Sequence, residues 1–344
     1  MRRERARRWL AGLALGLLGA LGQAATGLTE LAGRDGDGPI TVFYPSSSTA
    51  APLKRGPFTI QATANAAPVR GNGRLVVISH GSGGSAWVHA DLAGVLVEAG
   101  FVVALPEHRG DNFRDRSDIG PESWKRRPAE VSRAIDAVAA DPRFAALVAT
   151  DKAGVYGMSA GGHTALTLAG GRWSATKLAR HCDAYIAADF HSCAGLTTQL
   201  RGDAFDNIKI WTALTVIRWR FSDAGWQSYR DPRVAAVVAG VPYAADFDML
   251  SFAKPPVPLG LVTAGQDRWL VPRFHSSAVL QACAPCERVA DIPDGGHGAL
   301  LSPLPPNLTG LAAELLGDPP GFDRKVLPEV DRKIAAFFRK HLLP

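Results

Sequence analysis

Short runs of β-branched and other apolar residues alternate along most of the chain with segments of helical spacing. Runs at 41–44, 58–63, 74–79, 101–105, 153–156, 234–239, 259–263 and 288–292 predict strands. Between them, apolar residues recur with helical period over 87–99, 130–140 and 160 to about 169. Gly100 stops the first of these helices, and Asp141-Pro142 ends the second. A last helix is predicted over 323–341, with Val326, Val330, Ile334 and Phe337 on one face. Most of the strand runs are apolar nearly throughout, so they need cover on both faces. Alternating with helices, they predict an α/β fold with a mostly parallel central sheet.

One segment breaks this rhythm. Between the helix after Ser159 and the strand at 234–239 lie about 60 residues, roughly 172–232, carrying four of the eight tryptophans: Trp173, Trp211, Trp219 and Trp226. A regular crossover needs far fewer residues, so the segment reads as a cap-like insertion in a single domain spanning 25–344. Trp211, Trp219 and Trp226 are the expected aromatic walls of a substrate pocket.

Composition changes the picture little; charge changes it more. Apolar residues make up 47% and charged residues 20% of 344, as in an ordinary globular protein. The net charge of +6 is concentrated at the start, where Arg2, Arg3, Arg5, Arg7 and Arg8 stand against Glu4, a net of +4. The rest holds 33 basic and 31 acidic residues, a near-neutral body with no electrostatic footprint for a nucleic acid. The basic run precedes an apolar stretch from Trp9 to Leu21 and then Gly22-Gln23-Ala24-Ala25, the pattern of a signal peptide over residues 1–24. Thirteen apolar residues are short for a permanent span, so no membrane anchor is expected after cleavage. Arg7-Arg8 leaves the twin-arginine route open beside the general one. The expected location is periplasmic or secreted.

Export makes the cysteines readable. An even count in an oxidising compartment favours two local disulfides, Cys182 with Cys193 and Cys283 with Cys286. The rival reading is a metal site built from His181, Cys182, His191 and Cys193, although its spacing is shorter than usual zinc patterns.

The chemistry concentrates in three places. Gly157-Met158-Ser159-Ala160-Gly161 follows a predicted strand and opens a predicted helix, so its turn lifts Ser159 above the sheet beside a helix N-terminus. His80-Gly81-Ser82-Gly83-Gly84 ends another strand, where backbone N–H groups can face a developing oxyanion. The expected donors are Ser82 and Ala160, with Gly83 as the alternative to Ser82. A serine needs a base, and the base an orienting carboxylate. His297 and Asp267 stand in loops after the last two strands and complete a Ser–Asp–His order; Asp246 and Asp248 are alternative acids.

These motifs, with Glu107-His108-Arg109-Gly110-Asp111-Asn112, Gly265-Gln266-Asp267 and Gly295-Gly296-His297, resemble the α/β-hydrolase superfamily. The resemblance is to a bacterial group of dienelactone-hydrolase-like proteins related to platelet-activating-factor acetylhydrolases, and it runs from about Pro39 to the C-terminal helix. It implies the α/β-hydrolase fold and ester hydrolysis. Authentic dienelactone hydrolases carry a cysteine nucleophile where Ser159 stands here, so the kinship does not name a substrate. The expectation is an exported serine hydrolase of small carboxylic esters, short to medium in acyl chain, requiring no cofactor and no metal. Acyl transfer, amide cleavage, or hydrolysis of a dienelactone or phospholipid acetyl ester would use the same residues. A hydrolase-shaped binding protein with a dead site is the reading from another class.

Overall fold

The apolar runs assemble into one sheet because each must cover two faces. The computed structural model describes residues 25–344. Its strands are β1 (Ala25–Leu31), β2 (Ile40–Ser46), β3 (Pro52–Arg55), β4 (Phe58–Gln61), β5 (Thr63–Ala64), β6 (Leu75–Ser79), β7 (Val102–Pro106), β8 (Ala153–Met158), β9 (Val234–Gly240), β10 (Leu259–Ala264) and β11 (Glu287–Ile292). The helices are α1 (Ala90–Glu98), α2 (Pro121–Ala140), α3 (Ala160–Leu168), α4 (Ala175–Tyr185), α5 (Phe190–Ala194), α6 (Asp206–Arg220), α7 (Ser276–Ala282), α8 (Gly310–Leu316) and α9 (Leu327–Leu342).

The strand order is β11-β10-β9-β8-β6-β7-β2-β1-β5, and every pairing from β7 through to β11 is parallel. β2 joins antiparallel to both β7 and β1, while β3 and β4 form a separate hairpin. Successive side chains of a strand go to opposite faces. Val77 and Val155 therefore enter one core with Trp124 of α2, Leu166 of α3 and Trp173. Val76, Ile78 and Tyr156 enter the other with Leu96 of α1 and Phe338 of α9. That double cover is what the continuous apolar runs require.

Three boundaries differ from the pattern. α2 starts at Pro121, nine residues earlier than the expected helix, and runs through Pro128. Apolar packing of Trp124 against the first core holds that first half in helical form despite the missing N–H at Pro128. Residues 58–63 divide between β4 and β5, because Phe58 and Ile60 of β4 pack inward while β5 leaves to pair with β1. Val326 stands 44% exposed at the start of the last helix, whereas Val330, Ile334 and Phe337 are buried. The signal-like segment, Arg7-Arg8 included, lies outside the described residues. Between α3 and β9 the chain builds α4, α5 and α6. Among the described residues no helix is long and apolar enough to cross a membrane.

Candidate active site

The backbone is strained at the end of β8. β8 closes at Met158 and α3 opens at Ala160, so Ser159 alone makes the turn, with φ 59° and ψ −119°. A serine is held in this left-handed region only when its surroundings leave no alternative. They leave none: a Cβ on Gly157 would stand 1.9 Å from the Gly161 carbonyl oxygen, and one on Gly161 would stand 1.9 Å from that of Ser79. Strand, turn and helix touch backbone to backbone, which explains both glycines of the motif.

The structure brings Ser159, His297 and Asp267 together. Ser159 Oγ lies 2.9 Å from His297 Nε2, and His297 Nδ1 lies 2.8 Å from Asp267 Oδ2. His297 begins a single helical turn after β11, and Asp267 sits in the loop after β10. Both are buried, while Ser159 keeps partial access to solvent. The second Asp267 oxygen accepts the N–H groups of Trp269 and Leu270 at 2.9 and 2.8 Å, so the carboxylate has one orientation. With Nδ1–H donated to that carboxylate, Nε2 is free to accept the serine proton. The Trp269 ring packs 5.1 Å from the imidazole.

The alternative acids have other partners. Asp246 is bonded to His163 Nε2 at 3.0 Å among Trp124, Trp173, Tyr243 and Phe247, and Asp248 pairs with Arg172 at 2.6 Å. A second Ser–His–carboxylate set leaves no local signal in the sequence. Ser79 Oγ lies 2.7 Å from His108 Nε2, and His108 Nδ1 bonds Glu130. All three are at most 2% exposed, so no substrate reaches this serine. Burial, with Arg127 nearby, holds His108 well below the ordinary imidazole range.

The loop from His80 to Gly84 lies against Ser159; a Cβ at Gly81 would be 3.3 Å from that of Ser159. The N–H groups of Ser82 and Ala160 have no hydrogen-bond partner among the described residues. Gly83 is corrected as a donor: its N–H is already given to Asp111 Oδ1 at 2.9 Å. His80 is tied to the Gly81 carbonyl and the His108 N–H, and burial lowers its pKa well below the ordinary value, so it stays neutral.

The tryptophans do not close over this serine as walls. Trp211 and Trp219 stand on the outward side of α6, 68% and 80% exposed, in a stripe with Phe205 and Ile208. The reason is that α6 spends its inward side, Ala213, Leu214 and Ile217, on the first core. Trp226 lines a separate cavity of about 550 Å³ beside α4 with Lys177, Arg180, His181 and Tyr185. The C-terminal end of α6 reaches the chain just before α2, where Arg220 donates to the Ile119 carbonyl.

Cys182 is bonded to Cys193, and Cys283 to Cys286. The metal reading therefore loses both of its thiolates. Its histidines are engaged as well, His181 with Asp189 at 2.8 Å and His191 with the Gly195 carbonyl. Asp189 also accepts from His275 and Ser192, which fastens α4 and α5 to the loop before α7. Among the described residues no group of three or more His, Cys, Asp or Glu is placed to hold a metal ion.

A doubly covered parallel sheet with a serine on a strained strand–helix turn defines an α/β hydrolase. Residues 75–305, more than half of the chain, match the family model described as alpha/beta hydrolase family, and the chain belongs to that family. Among solved structures it is similar to a ferulic acid esterase from Streptomyces cinnamoneus, with a TM-score of 0.56 and 17% identity over 93% of this chain and 90% of that one. No curated protein matches it in sequence.

Proposed function

We propose that the protein is an exported serine esterase that hydrolyses carboxylic esters of short to medium acyl chain through an acyl-enzyme on Ser159. The observation that carries this reading is the unbroken relay from Ser159 Oγ through His297 to Asp267, at a serine that solvent can still reach. In the first half-reaction Ser159 Oγ attacks the acyl carbonyl while His297 Nε2 takes its proton, then returns it to the leaving alcohol. Asp267 fixes the tautomer and stabilises the imidazolium, and the Ser82 and Ala160 N–H groups hold the oxyanion. Water activated by the same imidazole completes hydrolysis. No step draws on a cofactor. The partner in this chemistry is a small-molecule ester.

The finer kinship, a dienelactone-hydrolase-like group related to platelet-activating-factor acetylhydrolases, rests on the quoted motifs alone. Acyl length is limited by what can be buried, each methylene contributing about 0.8 kcal/mol. Two disulfides and the basic, apolar start of the sequence support export. Labelling with a fluorophosphonate, followed by a p-nitrophenyl ester panel from acetate to palmitate, tests the proposal. We expect Ser159 to be the labelled residue and turnover to peak between acetate and octanoate. Absence of labelling together with absence of turnover refutes it, and added alcohols or amines that divert the acyl group would identify a transferase.

A further inference from the structure

The segment Glu107-His108-Arg109-Gly110-Asp111-Asn112, which follows β7, takes no part in the proton relay. It does hold the loop beside Ser159. Asp111 is fully buried and makes four bonds: Oδ1 accepts Gly83 N–H at 2.9 Å, and Oδ2 accepts Ser123 Oγ at 2.7 Å, Arg127 Nη2 at 2.8 Å and Ser82 Oγ at 3.2 Å. Arg127, equally buried, adds Nη1 to the His80 carbonyl at 2.6 Å and Nε to Ser123 Oγ at 3.1 Å. Two residues past Asp111, Phe113 N–H donates to the Gly84 carbonyl at 3.0 Å. The loop is thus gripped at residues 80, 82, 83 and 84, while Ser82 N–H is left without a partner next to Ser159.

We infer that Asp111 is a positioning residue for the oxyanion. By taking the Gly83 N–H and the Ser82 hydroxyl, with Arg127 as its counterion, it fixes the peptide between Gly81 and Ser82 so that Ser82 N–H faces the charge that develops on the acyl oxygen. This rests on the reading of Ser159 as nucleophile. A donor aimed before the reaction costs no reorganisation in the transition state, whereas a loop free to turn must be ordered each time. The charge matters as well as the shape. Burial alone would raise the Asp111 carboxyl, but Arg127, the Ser123 hydroxyl and the Gly83 N–H hold it below the usual value, so it stays ionised. An asparagine would have to give up either the grip on Gly83 or the pairing with Arg127.

The test is Asp111→Asn in the full chain, with Ser123→Ala as a milder variant that keeps the ion pair and removes one bond to the carboxylate. We expect Asp111→Asn to lower kcat on the order of 10²-fold, the scale of a lost oxyanion donor, with KM for p-nitrophenyl butyrate changed less than about threefold. The preference for the oxygen ester over the corresponding thionoester should fall in parallel, because sulfur is a weak acceptor and gains little from an aimed N–H. Ser123→Ala should move kcat and this preference in the same direction by a smaller factor, and it decides the matter if Asp111→Asn does not fold. A folded variant that loses kcat but keeps the oxygen-to-sulfur preference reduces Asp111 to a structural role and overturns the inference. Unchanged kcat overturns it too. Wild-type protein that turns over no ester overturns the reading of Ser159 itself, a separate result.

Discussion

Asp267→Asn replaces one oxygen of the site by a nitrogen, and the hydrogen bonds around it dictate where that nitrogen goes. Oδ1 of Asp267 accepts two backbone N–H groups, from Trp269 and Leu270. An amide NH₂ cannot face two donors, so the Asn oxygen must stay there and the NH₂ must turn toward His297 Nδ1. The imidazole then has to accept at Nδ1 and carry its proton on Nε2, which points at Ser159 Oγ and can no longer take a proton from it. A tautomer error of this kind in another serine hydrolase costs about 10⁴ in kcat, and about 5 kcal/mol in the barrier is the expectation here. Folding should suffer far less, since both backbone bonds survive and the bond to the imidazole is kept with its direction reversed, a change of about 1 kcal/mol at most. The assay is kcat on a p-nitrophenyl ester alongside the thermal midpoint of the same preparation. Activity within tenfold of wild type would refute the tautomer argument. Loss of activity that simply follows unfolding would refute it as well.

Burial, with Asp91 nearby, raises the Asp331 carboxyl to about 7. Its folded value lies above the unfolded one of about 4, so the protonated acid favours the folded chain and that contribution is lost as pH rises from about 4 to 7. Asp331→Asn should therefore match wild type near pH 4 and exceed it at pH 8 by up to about 4 kcal/mol, read from urea midpoints; equal midpoints at pH 8 would contradict this. Asp246→Asn should cost stability through its buried bond to His163 yet leave the kcat of the folded fraction within tenfold, because Asp246 belongs to another histidine. Trp211→Ala and Trp219→Ala, on the outward side of α6, should change stability by less than about 0.5 kcal/mol and leave the acyl-length optimum in place. A shifted optimum would show that these side chains touch substrate. Serine at both Cys182 and Cys193 should cost about 3 kcal/mol by freeing the unfolded chain, measured as a lower denaturant midpoint.

The sequence by itself determined what depends on near neighbours and on period. Its apolar runs marked the parallel strands because a strand buried on both faces cannot alternate, and the helical period marked α1, α3 and α9. Gly157 and Gly161 were legible because a turn that tight has no room for a Cβ. The local cysteine pairs and the loops bearing Asp267 and His297 followed from spacing and chain order. The pattern could not show that α2 continues through Pro128, because the packing of Trp124 that pays for it comes from distant residues. Chain order put Asp267 ahead of the other acids, but the partners themselves come from the fold: Asp246 reaches His163 across 83 positions, and Asp267 reaches His297 across 30. The buried Ser79–His108–Glu130 set shows the same limit, since its residue types resemble those of the accessible site, and what separates the two is burial and the strand–helix turn that only Ser159 occupies. Tertiary structure also committed the Gly83 N–H to Asp111 and turned Trp211 and Trp219 outward. In each case the outcome lies in which partner a group meets and whether water reaches it. Those are properties of packing between segments remote in sequence, which no local pattern records.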